Sequence, residues 1–364
     1  MLKIFRTTNN ETIDFSVFGP KGDSGKHENF ESIFVVFVSK NIKKLIKSSQ
    51  ITRFNSISHI VYDAPERPVT DSWSVYIPFM PKSDNIMEFT ERREETEDDY
   101  FQLNVAGKIM DFRLSNQYQY PEAYFHPSEK ESAIESIHNY FLDFFGETVE
   151  YQYVEHYKEF IPHLPKLSLC LSFWPGNLGR IINIQPIEEY LASSPALKQI
   201  CMSLQSQQLF RPESKFYQAE SISLTLYTRT AHDFLRHFQG RQAFLRCDEY
   251  DVSSFIGFMN RWKSGQECGK LEYLKIKLMR NRGVQNQILN ANGVKYIDES
   301  RTPPTHTLPV VYKYGDFPNT APIISHAYVV RKTDNRVASV AINRDRFYFG
   351  VWNETEEEFL RLVT

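Results

Sequence analysis

The segment from Ser221 to Leu278 sets the tightest limit on what this chain can fold into. SISLTLY alternates Ile222, Leu224 and Leu226 with Ser221, Ser223 and Thr225, the period-two pattern of a half-buried strand. A helical run carrying Phe234, Leu235 and Phe238 follows and stops at Gly240. AFLRC is again strand-like, Asp251 can cap a helix bearing Val252, Phe255, Ile256, Met259 and Trp262, and beyond Gly265 the run LEYLKIKL is extended. Strand, helix, strand, helix, strand implies parallel pairing with the helices on one face. The strand starts, near Ser221, Ala243 and Leu271, keep no fixed period, so the units resemble irregular leucine-rich repeats in construction.

The rest of the chain extends this pattern. LSLCLSF reads as a strand, and Pro186 opens a helix through Ile187, Tyr190 and Leu191. Nearer the start, Ser56 to Tyr62 and Ser72 to Ile77 read as strands. Ser132 to Phe145 reads as a helix with a capping box of Ser132 and Glu135, an apolar stripe of Ile134, Ile137, Phe141 and Phe145, and a stop at Gly146. The chain closes with three strand-like runs in HAYVVRKTDNRVASVAINRDRFYFGVW, an antiparallel meander. The expected class is therefore α/β: short parallel strand-helix units plus a C-terminal antiparallel meander.

Composition limits the function classes. At roughly 100–200 residues per domain, 364 residues allow two or three domains or one large α/β body. Aromatics at 14%, with 28 Phe and 20 Tyr, supply a sizeable core. A net charge of −3 provides no global basic field, which excludes a dedicated DNA coater. MLKIFRTTNNETIDF lacks the apolar stretch of a signal peptide, and no window approaches a membrane span, so an intracellular protein of cytoplasm or nucleus is expected. Cys170, Cys201, Cys247 and Cys268 match no CxxC metal or redox spacing and read as ordinary thiols.

The motifs that carry chemistry are missing from the sequence. His232 and His237 do not form HExxH, and the spacing of His156 and His163 fits no metal site. There is no GxxxxGK[ST], no GxGxxG after a strand and no GxSxG. Lys270, Lys275, Lys277, Arg280 and Arg282 cluster around Tyr273. Strand alternation puts the odd-numbered lysines on a solvated sheet face, in preference to a nucleic-acid patch. Acidic runs near Glu94 and Glu356 read as solvated loops and a tail. Trp262 continues the stripe of Phe255, Ile256 and Met259 and reads as core. No cofactor or metal is expected.

DVSSFIGFMNRWKSGQECGKLEYLKIKL resembles the signature of the F-box-associated domain of the large nematode family of F-box proteins, with Asp251, Phe255, Trp262, Leu271, Tyr273 and Leu274 as its structural marks. SKNIKKLIKSSQI resembles the second half of that family's F-box, ESIHNYFLDFFG the helix that begins its middle region, and AYVVRKTDNRVASVAI with FYFGVW its terminal strands. The likeness runs discontinuously from about Phe34 to Trp352. In the family the F-box opens with a Leu-Pro-containing helix and a second helix, whereas polar sequence stands at those positions here, so only the last part of an F-box remains.

The resemblance implies a polar leader with a partial F-box-like helix over 1–55, and an F-box-associated α/β domain over 56–364 with its signature at about 213–280. It further implies a non-catalytic protein-interaction module, the target-holding part of an adaptor for an SCF ubiquitin ligase. Its partners would be a protein target and, through the F-box, the SCF linker subunit and cullin, with no nucleic acid and no membrane. Ile42, Leu45 and Ile46, on one helical face, together with Val36 and Phe37 would meet the linker subunit; the alternative is a helix buried against its own domain. Two further readings stand beside this one. The chain is a standalone scaffold or decoy that lost its F-box docking, or a hydrolase or transferase whose site is assembled from distant residues.

Overall fold

The computed structural model describes residues 2–5, 14–17, 40–49, 52, 54, 56–63, 72–78, 83–92, 100–114, 120–155, 164–173, 184–194, 196–204, 209–227, 230–247, 252–278, 288–290, 293–308 and 320–364. The chain divides into two compact units, Met1–Val154 with Pro162–Leu167, and Glu155–Ile161 with Ser168–Thr364. The architecture is mixed α/β with few helices. Among the described residues no helix is long and apolar enough to cross a membrane.

In unit 1, β1 (Leu2–Phe5) and β2 (Asp14–Val17) form an antiparallel pair. After α1 (Lys40–Ser49) come β3 (His59–Asp63), β4 (Ser72–Pro78), β5 (Ser83–Glu91), β6 (Phe101–Val105), β7 (Lys108–Leu114), β8 (Pro121–Phe125), α2 (Lys130–Phe145) and β9 (Glu150–Glu155). They assemble in the order β9-β3-β4-β5-β8-β7-β6. The β3/β9 and β5/β8 pairs are parallel and the others antiparallel. Strand β4 shows why it is a strand: Trp73, Val75 and Ile77 are buried while Ser72, Ser74 and Tyr76 alternate with them, half-buried.

Helix α2 buries Ile134, Ile137, Phe141 and Phe145, and Gly146, at φ 93°, ends it with its N–H donating to the Leu142 carbonyl at 2.9 Å. The Ser132–Glu135 capping box is not formed. Pro127 starts a 3-10 turn over Pro127–Glu129, so the helix begins upstream and Ser132 lies inside it, its hydroxyl donating to the Glu129 carbonyl at 3.0 Å.

His138 is the one histidine on the buried face of α2. The Pro165 carbonyl can only accept, so Nε2 carries the proton across 2.8 Å and Nδ1 accepts from the Tyr62 hydroxyl at 3.1 Å. Burial lowers its pKa from the ordinary 6.5, against the opposing pull of the Pro165 carbonyl. The unfolded chain therefore takes up a proton below about pH 6.5 that the native unit refuses, and stability falls as pH drops from that point toward the native pKa. Each pH unit of depression is worth about 1.4 kcal/mol. His138→Gln, which can make both hydrogen bonds without titrating, is expected to flatten the loss between pH 6.5 and 5 in urea titrations. Parallel wild-type and variant curves would refute this origin.

In unit 2 the chain runs through β10 (Leu167–Phe173), α3 (Gln185–Ser193), β11 (Ala196–Leu204), β12 (Ser221–Leu226), α4 (Ala231–His237), β13 (Gln242–Cys247), α5 (Val252–Ser264) and β14 (Tyr273–Leu278). Strands β10 to β14 pair in sequence order, all parallel. Then follow β15 (Lys295–Tyr296), β16 (Thr305–His306), β17 (Ile323–Ile324), β18 (Ala327–Val330), β19 (Arg336–Asn343), β20 (Arg346–Thr355) and α6 (Glu356–Arg361). Strand β20 lies antiparallel beside β14, and β19, β18 and β15 continue outward.

The register assigns each residue to a face. Ile222, Ala243, Leu274 and Phe349 are consecutive neighbours across four strands, as are Leu224, Leu245, Ile276 and Phe347, and all are buried. Helix α5 seals this face: Phe255 meets the Phe347 ring at 4.8 Å, and Phe258 and Trp262 meet Phe349 at 5.2 and 5.0 Å. At the chain end, the expected acidic tail is instead α6. Thr355 and Glu358 form a full capping box, and Phe359 packs on Tyr328 and Trp352, both at 5.3 Å.

Candidate functional site

Two surfaces stand apart from the packed interior. The first, in unit 1, is a groove of about 550 Å³ along β6, β7 and β8, lined in part by Arg92, Gln102, Ile109, Met110, Asp111 and Phe125. Its ionic side chains pair with one another, while the Arg92 Nε is buried with no hydrogen-bond partner among the described residues. Arg92 pairs with Asp111 at 2.8 Å and stands 4.7 Å over the Tyr100 ring, Gln102 donates to Asp111 at 3.2 Å, and Lys108 reaches Ser132 at 2.9 Å and Glu129 at 3.4 Å. Met110 and Phe125 are buried, whereas Ile109 is 65% exposed. Strand β6 ends the strand order, so among the described residues its outer edge has no strand partner. The hairpin that presents it turns on Ala106 and Gly107, at φ 47° and 96°, with the Gly107 N–H donating to the Asn104 side chain at 2.9 Å.

The second surface is the other face of the unit 2 sheet. Its first rung reads Gln199, Ser221, Gln242, Tyr273, Gly350 across β11, β12, β13, β14 and β20, and it is buried. Tyr273 both donates to the Ala321 carbonyl and accepts from the Ala321 N–H at 3.1 Å, and burial pushes its phenol up to about 12. His306 sits over Gly350, donating from Nε2 to the Val351 carbonyl at 2.9 Å. The second rung, Ser223, Phe244, Lys275, Tyr348, and the third, Thr225, Arg246, Lys277, Arg346, are partly or fully exposed.

The residues marked by the sequence fall into three groups. Phe255, Trp262, Leu271, Tyr273 and Leu274 are all buried in unit 2, where they pack the fold. Val36, Phe37 and Asp251 lie outside the described residues, and of Ile42 and Ile46 only the helical backbone is described. Leu45 is 66% exposed on α1. That helix meets α2 through its basic side: Lys43 pairs with Asp143 and stands 4.2 Å over the Tyr140 ring, and Lys47 donates to the Asp143 carbonyl at 3.1 Å. Lys43 holds the Asp143 carboxyl below its ordinary range.

The candidate nucleophiles are poorly placed for chemistry. Burial raises the thiols of Cys201 and Cys268, the latter to about 12, and Cys268 spends its S–H on the Leu235 carbonyl at 3.2 Å. The His232 Nδ1 lies 3.4 Å from the Asp233 carboxylate, and His237 packs against the Tyr217 ring at 5.3 Å. His156 and His163 lie outside the described residues. Among the described residues no group of three or more His, Cys, Asp or Glu is placed to hold a metal ion. Arg246 and Arg346, on the third rung, were not marked by the sequence, because only the strand register brings them beside Lys277. No protein-family model, curated protein or solved structure matches this chain.

Proposed function

We propose that this chain is a protein-interaction module, resembling the target-recognition part of an SCF-type ubiquitin ligase adaptor and without catalysis of its own. The observation that carries the reading is the groove beside β6: its ionic side chains pair with one another, Ile109 is exposed beside them, and the β6 edge alongside has no strand partner among the described residues. Such a groove suits an extended protein segment, which adds to the sheet through main-chain hydrogen bonds while side chains enter the groove. On this reading the strand-helix units of β11 to β14 are irregular relatives of leucine-rich repeats, and β18 to β20 are a closing meander. The F-box-associated region, 56–364, then takes in unit 2 and the part of unit 1 that follows residue 55, and the protein works inside the cell.

Exposed Leu45 favours linker docking through α1, and the missing first helices of the F-box favour the standalone scaffold. Affinity capture from cell extract with the full chain, Leu45→Glu and Ile109→Glu separates the two. The expected result is linker and cullin subunits with the wild type and Ile109→Glu but not with Leu45→Glu, and a second set of proteins lost only with Ile109→Glu. If Ile109→Glu removes nothing, the groove is not the target site. If no cullin is recovered while the second set remains, the chain is the scaffold.

A further inference from the structure

Like charges directly opposite each other on adjacent strands are destabilising. The third rung of the unit 2 sheet nonetheless places Arg246 opposite Lys277 and Lys277 opposite Arg346, with Lys275 one rung away on the same face. Among the described residues none of Arg246, Lys275 and Lys277 pairs with a carboxylate, and Arg346 has only Asp345, at 3.7 Å. Burial, and after it the neighbouring charges of Arg346 and Lys277, holds Lys275 below its ordinary pKa. The hydroxyl residues Ser223 and Thr225 continue the two rungs on β12. Arg246 and Lys277 lie near the carboxyl ends of the parallel strands β13 and β14, the end of a parallel sheet at which ligands ordinarily bind.

We propose that Arg246, Lys275, Lys277 and Arg346 form a docking site for an acidic segment of a partner protein, its carboxylates or phosphoryl groups lying across the rungs. Lys275 and Lys277 are alternate residues of one strand, about 7 Å apart, which is the spacing of alternate residues in an extended segment laid along β14, and Arg246 and Arg346 flank Lys277 at about 4.8 Å on either side, where they can share its acidic groups. Arginine forks bind carboxylate or phosphate oxygens in pairs. A single-stranded nucleic acid fits less well, since it needs free aromatic faces for stacking. Phe244 packs against Tyr273 at 5.7 Å, the Lys275 ammonium stands 5.8 Å over Tyr348, and the Tyr348 hydroxyl is engaged by Arg346.

This inference rests on the reading of the chain as a protein-interaction module, but on a different surface from the groove. Fluorescence anisotropy with the full chain tests it, using an eight-residue peptide of alternating Glu and Ser, its phosphoserine form, and an eight-nucleotide oligouridine. Saturable binding of either peptide below about 1 mM is expected, weakening with salt and weakening about tenfold in Arg246→Gln and in Lys277→Gln. Lys270→Gln, on an exposed residue off the rungs, and Ile109→Glu should bind as the wild type does. The unfolding midpoints of Arg246→Gln and Lys277→Gln should be unchanged or raised, because repulsion has been relieved; lowered midpoints would mean a structural role and overturn the proposal. It is equally overturned by no peptide binding, by tighter binding of oligouridine, or by equal loss in Lys270→Gln. Peptide binding that survives while Ile109→Glu captures the same proteins as the wild type sinks the groove reading alone.

Discussion

Trp262→Ala is expected to lower the unfolding free energy of unit 2 by about 3–5 kcal/mol, the cost of deleting a buried indole whose cavity the surroundings refill only in part. Trp262 is fully buried on α5, edge-on to Phe349 at 5.0 Å, with the Arg331 guanidinium 5.1 Å over its other face. Arg331 is itself only 4% exposed, and both arms of its fork bind Asp334, at 2.8 and 2.6 Å. Removal of the ring therefore also loosens the packing around the buried guanidinium of an ion pair whose aspartate is exposed. Trp262→Phe keeps a ring against Phe349 and should recover more than half of the loss. The indole N–H has no partner among the described residues, so no hydrogen bond is lost with it. Urea unfolding followed by circular dichroism measures both variants. A change under about 1 kcal/mol in Trp262→Ala would mean that α5 is not seated on the sheet through this residue.

The parallel strands around this tryptophan were legible in the sequence because their signals are local. Ile222, Leu224 and Leu226 alternate cleanly, and the helix stripe of Phe255, Met259 and Trp262 is the buried face, with Ile256 half-buried beside it. Where a signal was weak or needed a distant partner, it was missed. The β6–β7 hairpin turns on Ala106 and Gly107, without the Asn-Gly or Asp-Gly pair that announces such a turn. Strand β11 interrupts its alternation with the adjacent buried residues Gln199 and Ile200. The α6 helix carried a readable Thr355–Glu358 signature, but its run of glutamates resembled a solvated tail. The candidate surfaces depend on register: Arg246, Lys277 and Arg346 come from three strands, and the groove is built from residues of β6, β7 and β8.

These two surfaces differ in the work they can do. On the proposed reading the groove offers main-chain pairing along β6 and the exposed Ile109 side chain, with its ionic groups paired among themselves, so its selectivity would come from shape. The rung offers cations of which, among the described residues, only Arg346 meets a carboxylate, so on the proposal above it would contribute association rate and salt-dependent selection for acidic partners. Natural sequences break a local rule such as charge alternation mainly where function requires it. The ion pairs at the opposite end of the same strands obey that rule. Arg241 bridges Glu220 at 2.6 Å and Glu272 at 2.8 Å, and Lys198 reaches Glu220 at 2.7 Å. Alternation is therefore available to this sheet, and its absence from the third rung is specific to that rung.

Gly240→Ala is expected to destabilise unit 2 by at least the upper end of the ~1–3 kcal/mol typical of overpacking, because the obstruction is backbone. A Cβ on Gly240 would overlap the carbonyl oxygen of Ala219 and come to 2.6 and 2.8 Å from Cζ and Cε2 of the Phe238 ring. The ring is buried and cannot swing into solvent, and the carbonyl belongs to a segment held on both sides of the contact. Gln239 donates to the Tyr217 carbonyl at 2.8 Å, and Arg241 and Gln242 donate to the Glu220 carbonyl at 2.8 and 3.0 Å. These bonds open the β12–β13 ladder, so relief of the clash requires the two strand entrances to part and at least one bond to break, at about 1 kcal/mol or more. Gly293→Ala is the useful contrast: there the Cβ meets only the flexible end of the Lys263 side chain, and the positive φ of 87° sets a smaller penalty. Thermal unfolding of both variants should therefore show Gly240→Ala well below Gly293→Ala. Equal midpoints would mean that the entry to β13 does not lie against Ala219.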